Sequence, residues 1–452
     1  MGILGALTTA VSGLSAQSYA LENISGNIAN ASTVGFKRVD TSFVDLIPDS
    51  PARKEIAGSV GANSQLTNTI QGTLSSTGIG TNMALSGEGY FTVAQNTGSA
   101  VNPSFAIQNY YTRRGDFSQD ANGYLTNGSG YYLVGTSYNP ANGAVVTGAT
   151  SPIQLSNASI PAKGTSNLTY HGNLPLLPKP ASYSVTSPNS ELLRPADYGT
   201  NPVTTGTVTA NDQATFMSQS IPGGEVTVYN PAGAAPTAQF RLAKTDSAAS
   251  GGTDTWQLFY QTNAAATGTG VAWRSVGTPM TFNASGAMTS AATRSISGMV
   301  VNGVTVGDVT LSFGSSLTQY GEPSGAADTS QTQDGYASGK LNSVSVTSDG
   351  AITGRYSNGL TTKMAQITVA QFAANDSLKR ETGGAFSATP ASGAPTFGLQ
   401  GSTLTGGSVE QSNTDISEEF SKMIVTQQAY SANTRVMSTA QQMLQDVINV
   451  IR

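Results

Sequence analysis

The chain has 452 residues, of which only 10% are charged, and its formal net charge is −5. This balance excludes the basic surface with which proteins bind nucleic acid, and the absence of cysteine excludes disulfides and thiol chemistry. No apolar run reaches the roughly 18 residues of a membrane span, so we expect no membrane insertion. The N-terminus lacks the cationic and apolar regions of a cleavable signal peptide.

The first 30 residues predict an amphipathic helix with a coiled-coil seam. Apolar residues recur at spacings of three and four, and Glu22 is the one charged residue in this stretch. Gly5, Gly13 and Gly26 each cost a helix about 1 kcal/mol relative to alanine, so we expect this helix to need partners. The predicted seam consists of Leu4, Leu7, Val11, Leu14, Leu21 and Ile28.

The helical pattern ends within the stretch ENISGNIANASTVGFKR, residues 22–38. Asparagine side chains can bond the backbone groups that are freed at a helix end, and glycine permits backbone conformations closed to other residues. We interpret the stretch as a hinge, followed by an extended linker over 31–75; the alternative is an ordinary helix stop. The hinge residues are Asn27, Asn30, Thr33, Gly35, Phe36 and Lys37.

Between the two ends the sequence predicts β-structure in a nested arrangement. Short runs rich in β-branched and aromatic residues, punctuated by glycine, predict one core domain made of 76–156 and 329–412. Asp349-Gly350 and Asn358-Gly359 predict hairpin turns within it. Between these halves, 157–328 shifts toward Thr, Ala, Gly and Ser and predicts an inserted outer β domain.

Residues 413–452 predict a second long helix, which together with 1–30 forms a terminal helical assembly domain. Asp415 is a suitable N-cap, and Glu418 completes a capping box. The fold class is therefore mainly β with long terminal α-helices that pair as a coiled coil and two all-β domains outside them. The second seam consists of Ile416, Phe420, Met423, Tyr430, Met437, Leu444, Ile448 and Ile451.

The sequence contains no recognisable catalytic, cofactor or metal constellation. The single histidine, His171, cannot form a two-histidine metal site, and zinc sets need cysteine or further histidine. Neither a nucleophile elbow nor a nucleotide-binding fingerprint is present. We therefore predict a protein that is not an enzyme and holds no cofactor. A two-helix pair would leave Val425, Val436 and Val447 uncovered, which indicates a polymer of many copies.

Three ordered motifs resemble the bacterial flagellar rod, hook and hook-associated axial proteins. The first is NISGNIANASTVGFKR, although Val34 stands where the family usually has proline. The second is YTRRGDFSQDANGYLTNGSGYYLVG, residues 111–135. The third is the C-terminal helix, with Gln428 where arginine is common; its matching positions are Glu410, Ser412, Asn413, Glu419, Met423, Ile424, Gln427, Tyr430, Asn433 and Leu444.

The large insertion and the segment 334–359 are similar to the hook members of this family rather than to the shorter rod members. The resemblance implies a self-assembling tube with a central export channel, which links the rod to the filament, bends as a universal joint and transmits torque. It also implies export to the extracellular hook by the flagellar type III apparatus without cleavage.

The partners implied by the resemblance are copies of the chain itself, the distal rod protein, the hook cap protein, the hook–filament junction protein and the export apparatus. Two alternatives stay open from the sequence. One is a distal rod protein, and the other is a secreted β-rich adhesin or appendage subunit.

Overall fold

The computed structural model describes residues 3–46, 59–99, 101–146, 150–156, 159–314 and 316–451. They form two units: one is drawn from Met1–Ala158, Leu341–Arg355 and Thr361–Arg452, and the other from Ser159–Lys340 and Tyr356–Leu360. Within the described residues, none of the helices combines the length and apolarity that crossing a membrane requires.

The N-terminal helix, α1 (Ile3–Ala29), is followed by a hairpin rather than by the predicted extended linker. β1 (Val39–Leu46) and β2 (Ser59–Leu66) pair antiparallel, and the residues that join them lie outside the described part of the chain. Polar bonds hold the hairpin along α1, such as the 2.9 Å bond from Asn23 Nδ2 to Thr41 Oγ1. Because apolar and polar residues do not alternate regularly in these strands, their sequence carries little strand signal.

The first half of the core domain consists of short strands: β3 (Leu74–Ser76), β4 (Met83–Ser86), β5 (Tyr90–Asn96), β6 (Phe105–Thr112), β7 (Ser118–Gln119), β8 (Leu125–Thr126), β9 (Tyr131–Ser137) and β10 (Ser151–Pro152). β5 lies between β9 and β6 in one sheet, and β8 and β10 extend that sheet from β9. These strands are apolar on their inner side, where Phe91 and Leu133 are fully buried.

The second unit contains β11 (Asn167–Pro175), β12 (Thr207–Thr209), β13 (Ile221–Thr227), β14 (Thr237–Asp246), β15 (Thr255–Gln261), β16 (Val271–Ser275), β17 (Met280–Thr281), β18 (Thr293–Val301), β19 (Val304–Ser312), β20 (Leu317–Tyr320) and β21 (Asp328–Gln333). One sheet has the order β18-β19-β11-β20 with β21 also on β11, and the other has the order β12-β16-β15-β14-β13.

Short helices accompany these strands: α2 (Pro202–Thr205), α3 (Gln213–Ser218) and the 3-10 turns Pro195–Asp197 and Ala248–Ser250. Large aromatic side chains from both sheets fill the core of the unit, including Tyr170, Phe240 and Trp256. The incoming and outgoing segments of the unit lie together, because Thr165 Oγ1 donates a 2.9 Å bond to Gln333 Oε1.

The second half of the core domain contains β22 (Leu341–Val346), β23 (Ala351–Tyr356), β24 (Thr361–Ile367), β25 (Val369–Gln371), β26 (Lys379–Glu381), β27 (Ala385–Ser387), β28 (Thr396–Phe397), β29 (Thr403–Gly406) and β30 (Ser408–Glu410), with 3-10 turns at Asn375–Ser377 and Thr382–Gly384. The two halves merge in one sheet of order β22-β23-β24-β9-β5-β6-β27-β26.

Pairing across the two halves continues outside that path, since β29 pairs with β4 and β30 with β3. The predicted hairpin turns are confirmed: Gly350 and Gly359 have φ values of 82° and 83° where β22, β23 and β24 connect. The C-terminal helix α4 (Ile416–Ile451) follows β30 almost directly. The prediction of a mainly β chain with terminal helices is therefore confirmed.

Candidate functional site at the terminal helices

The two terminal helices pack on each other in an antiparallel arrangement. Near the end of α1, Asn27 Nδ2 bonds Glu419 Oε2 at 2.9 Å at the start of α4. About three turns from the other end of α1, a Cβ atom on Gly13 would lie 2.9 Å from Asn433 Nδ2. Small residues let the helices approach closely, and the buried positions on α1 are Ala10, Gly13, Ala16, Ala20, Ile24 and Asn27.

The predicted seam of α1 lies outside this contact. Leu4 is 67% exposed and Val11 50% exposed. The remaining members, Leu7, Leu14, Leu21 and Ile28, are half-buried. Bulky side chains would hold α4 away from the α1 backbone, so the small-residue face makes the contact within the chain. The predicted seam of α1, called the leucine stripe below, is only partly covered.

The residues of α4 that face α1 do not coincide with the predicted seam but are offset from it by about one position in the sequence. Glu419, Thr426 and Ala440 are buried there, whereas the predicted Met423, Met437 and Leu444 are half-buried at its border. The other predicted members, Ile416, Phe420, Tyr430 and Ile448, are exposed. Ile451 is the last residue of α4, and its side chain lies outside the described part of the chain.

The asparagines of the motif end α1 through side-chain bonds. The side-chain amide of Asn27 pairs with the backbone of Val39 as a neighbouring strand would. Its Nδ2 donates to the Val39 carbonyl and its Oδ1 accepts from the Val39 amide, both at 2.9 Å. Asn30 Nδ2 donates to the Gly26 carbonyl at 2.9 Å, and Thr33 Oγ1 donates to Asn30 Oδ1 at 3.1 Å. Asn27 thus connects α1, β1 and α4 through one amide group.

Gly35 carries the sharp turn after the helix end. Its φ is 67°, and its amide donates to the Glu410 carbonyl at 2.8 Å. A Cβ atom here would lie 2.6 Å from the backbone nitrogen of Arg114. Both the left-handed conformation and the close approach to the core therefore require glycine. Phe36, the next residue, stacks under the Arg380 guanidinium at 4.9 Å.

Lys37 ends in an ion cluster inside the protein. Its Nζ lies 2.5 Å from Glu410 Oε1 and 2.6 Å from the Ile70 carbonyl, and both charged side chains are essentially inaccessible. Arg113 Nη1 approaches Glu410 Oε2 at 3.3 Å. Burial lowers the pKa of the Lys37 ammonium, and the charge of Glu410 opposes that shift.

A second, more exposed network braces the start of α4. Asn413 Oδ1 accepts from the Arg38 amide at 2.7 Å, and the Arg38 guanidinium bonds Glu418 at 2.9 Å. Lys422 lies within 3.2 Å of carboxylate oxygens of Asp40, Glu418 and Glu419. Lys422 and Arg38 hold the pKa of Glu418 below its usual value. The N-cap prediction holds, since Asp415 accepts from the Ser417 and Glu418 amides.

The junction thus fixes the two helices to the core domain through paired charges and satisfied amides. Lys37 was identified from the sequence, but its partners Glu410 and Arg113 were not assigned to it. Glu410, Asn413 and Glu419 are among the positions that carry the family resemblance. A carboxylate in a motif with few charges is the sequence feature that could have pointed to a buried ion pair. Within the described residues, the side chains form no cluster of potential metal ligands.

Family comparisons match most of the chain in order. Residues 7–37 match the family described as Flagella basal body rod protein, and 84–168 match the Flagellar hook protein FlgE/F/G D1 domain. Residues 195–336 match the Flagellar basal body protein FlaE D2 domain. Residues 405–450 match the Flagellar basal body rod FlgEFG protein C-terminal family.

Full-length relatives show similar coverage. The chain is 31% identical to the flagellar hook protein FlgE of Salmonella typhimurium over 98% of both chains. It is 31% identical to that of Escherichia coli over 98% of this chain and all of the relative, and 29% identical to that of Brucella abortus over both whole chains. A solved structure, the Helicobacter pylori flagellar hook protein FlgE2, aligns with a TM-score of 0.49 at 15% identity, covering 73% of this chain and 98% of that one.

Gly35→Ala should destabilise the junction more than the same change at Gly78. Gly78 has a similar φ of 71° but open space around its Cβ position, so Gly78→Ala should cost only the conformational term of about 1–2 kcal/mol. Gly35→Ala adds the collision with the Arg114 backbone, a further ~1–3 kcal/mol. Urea unfolding of both variants measures the difference, and equal losses would show that the close approach contributes nothing.

Glu410→Gln should be strongly destabilising, because it leaves the Lys37 and Arg113 charges without their carboxylate. Removing one partner of a buried ion pair typically costs about 3–5 kcal/mol. Glu381→Gln is the matched control, since the Lys379–Glu381 pair is formed at 2.9 Å on the surface and should contribute far less. Chemical unfolding of the two variants tests this; a Glu410→Gln loss as small as that of the control would contradict it.

Proposed function

The chain belongs to the flagellar hook protein FlgE family, and from that membership we propose that α1 and α4 assemble copies of it into the wall of the hook. It is a structural subunit of the bacterial flagellar hook and not an enzyme. The observation that carries the proposal is that the helix pair leaves most of its large apolar side chains uncovered. Contact with further copies would bury them.

The uncovered stripe of α1 occupies its own sector of the helix. At 3.6 residues per turn, the α4-facing side, the hairpin-facing side and the leucine stripe lie roughly a third of a turn apart. The hairpin side is marked by Tyr19 and Asn23, whose side chains bond Ser64 and Thr41. The centre of the stripe therefore faces neither partner within the chain, and its accessible surface can make contacts between copies.

A different line of α4 suits a channel for unfolded chains. Every seventh residue from Ser421 is polar and exposed, and the line contains Ser421, Gln428, Arg435 and Gln442. With Glu22 the one charged residue among the first 30, the helix pair offers few charges that could retain a passing polypeptide. We assign this polar line to the lumen of the tube.

The same assembly accounts for the remaining roles. A tube of identical copies joins the distal rod protein to the hook–filament junction protein, grows beneath the hook cap protein and lies outside the cell after type III export. The braced junction passes torque from helices to core within each copy. Bending as a universal joint then falls to contacts between copies, which can slide while the helical seams hold.

Val11→Asp should prevent polymerisation without unfolding the subunit. Half of the Val11 surface stays accessible within the chain, so the monomer should lose far less stability than it would from a charge at a buried position. A carboxylate in the stripe would be buried without a partner at every repeat of the tube, at several kcal/mol each. Electron microscopy and sedimentation measure tube formation, with Gln428→Asp on the polar line as a control of equal charge. Normal tubes from Val11→Asp would rule out the stripe as an assembly surface.

Deleting 166–334 should leave a subunit that still forms tubes, because the proposed assembly surfaces lie on α1 and α4. The cut ends are neighbours: a Cβ on Gly335 would lie 2.8 Å from the Thr165 backbone nitrogen, so a short Gly/Ser join suffices. The tubes should be straighter or variable in curvature, as seen by electron microscopy. A deletion protein that is folded but stays monomeric would instead make the insertion the main assembly interface.

A further inference from the structure

We propose that the leucine stripe of α1 in one copy packs against a second apolar seam of α4 in the next copy. The proposal rests on the self-assembly proposed above and names the two surfaces that meet. It makes the wall of the tube an alternation of α1 and α4, in which each helix uses one seam within the chain and one between copies.

The second seam of α4 is continuous and aliphatic. It comprises Val425, Ala429, Ala432, Val436, Met443 and Val447, at spacings typical of a coiled-coil seam with Thr439 in the gap. Val425 is 65% exposed and Met443 51% exposed. At 3.6 residues per turn, this seam lies roughly 90° around the helix from the face that contacts α1. A helix with two such seams is built to contact two neighbours.

The two surfaces overlap along most of the helix pair. The facing pairs Gly13–Asn433 and Asn27–Glu419 define one antiparallel register. That register sets Leu4 level with Met443, Val11 with Val436 and Leu21 with Val425, to within one residue. Over this shared stretch, Leu4 to Leu21 and Val425 to Met443, each surface spans about 26 Å at 1.5 Å per residue. Neither contains a charge, so both can be buried without an unpaired ion.

The difference between the two surfaces favours a second copy as the occupant. A surface that pairs with itself gives closed dimers, whereas two different complementary surfaces on one chain give a contact that repeats from copy to copy. The chain presents two such surfaces on opposite flanks of one helix pair, similar in length and both apolar. Head-to-tail pairing of this kind extends without a free apolar face, except at the ends of the polymer.

Cysteine cross-linking tests the pairing directly, because the natural chain has no cysteine. Val11→Cys is mixed in equal amounts with Val425→Cys, Val436→Cys or Met443→Cys, assembled into tubes, and treated with a short bismaleimide. Three α4 positions allow for an axial shift between copies. Since each copy carries one thiol, every cross-linked dimer joins two copies, and peptide mapping identifies the joined residues. Gln428→Cys and Gln441→Cys serve as matched controls on other faces of α4.

We expect at least one of the three mixtures to give dimers in tubes, and tubes of Val11→Cys alone to give none. Dimers from Val11→Cys alone would overturn the proposal, since α1 would then meet α1. Gln441 lies between Met437 and Leu444 on the seam of α4 that the sequence predicts. Dimers with Gln441→Cys in place of the three second-seam positions would therefore also overturn the proposal, in favour of that predicted seam. Intact tubes without any of these cross-links would do the same. Failure of the unmodified protein to form tubes would instead refute the proposed self-assembly.

Discussion

The buried carboxylate of Glu410 is the constraint on which the arrangement of the helices depends. It accepts from Lys37, Arg113 and the amide of Gly72, so one side chain joins the segment after α1, the core sheet and the segment before α4. A buried ion cluster contributes little net stability compared with apolar packing, but it tolerates only one geometry. The value of the cluster is therefore in fixing where α1 ends and α4 begins relative to the core.

Because the ends of the two helices are fixed relative to the core, different faces of each helix can make different contacts. Close packing within the chain uses residues too small to offer much apolar area, such as Ala20 and Gly13. The larger side chains stay outside, where they cannot drive the pair into a compact monomer. Polar residues in the contact fix the register of the two helices, because Asn27 and Glu419 can form their hydrogen bond at only one axial position. The small-residue contact inside the chain and the accessible apolar side chains outside it are thus two consequences of the same residue distribution.

Much of the architecture could be predicted from sequence periodicity, because a spacing of three and four over several heptads has few other interpretations. The Asn-Gly and Asp-Gly turns could also be predicted from the sequence. The hairpin of 39–66 could not be found, since strands that pack on a helix through polar bonds lack the alternation that marks a half-buried sheet. The face of α1 that meets α4 was also missed, because hydrophobic patterns rank leucine above alanine while close helix packing favours the smaller residue. Partners such as Glu410 and Lys37, which are far apart in the chain, come together only through the fold.

The few charges of the chain are unevenly distributed between the junction and the helix surfaces. Ion pairs concentrate at the junction, where Lys37, Arg38 and Lys422 meet their carboxylates, and the helix surfaces beyond it are nearly neutral. Neutral surfaces gain no electrostatic steering, so encounters between copies proceed at the modest rates of unsteered association. Recognition between copies must then come from the packing of apolar seams along their whole length. A copy in the wrong position cannot form that packing. A subunit that assembles with copies of itself benefits from this combination, because its apolar stripes are aligned for assembly only after the junction has folded.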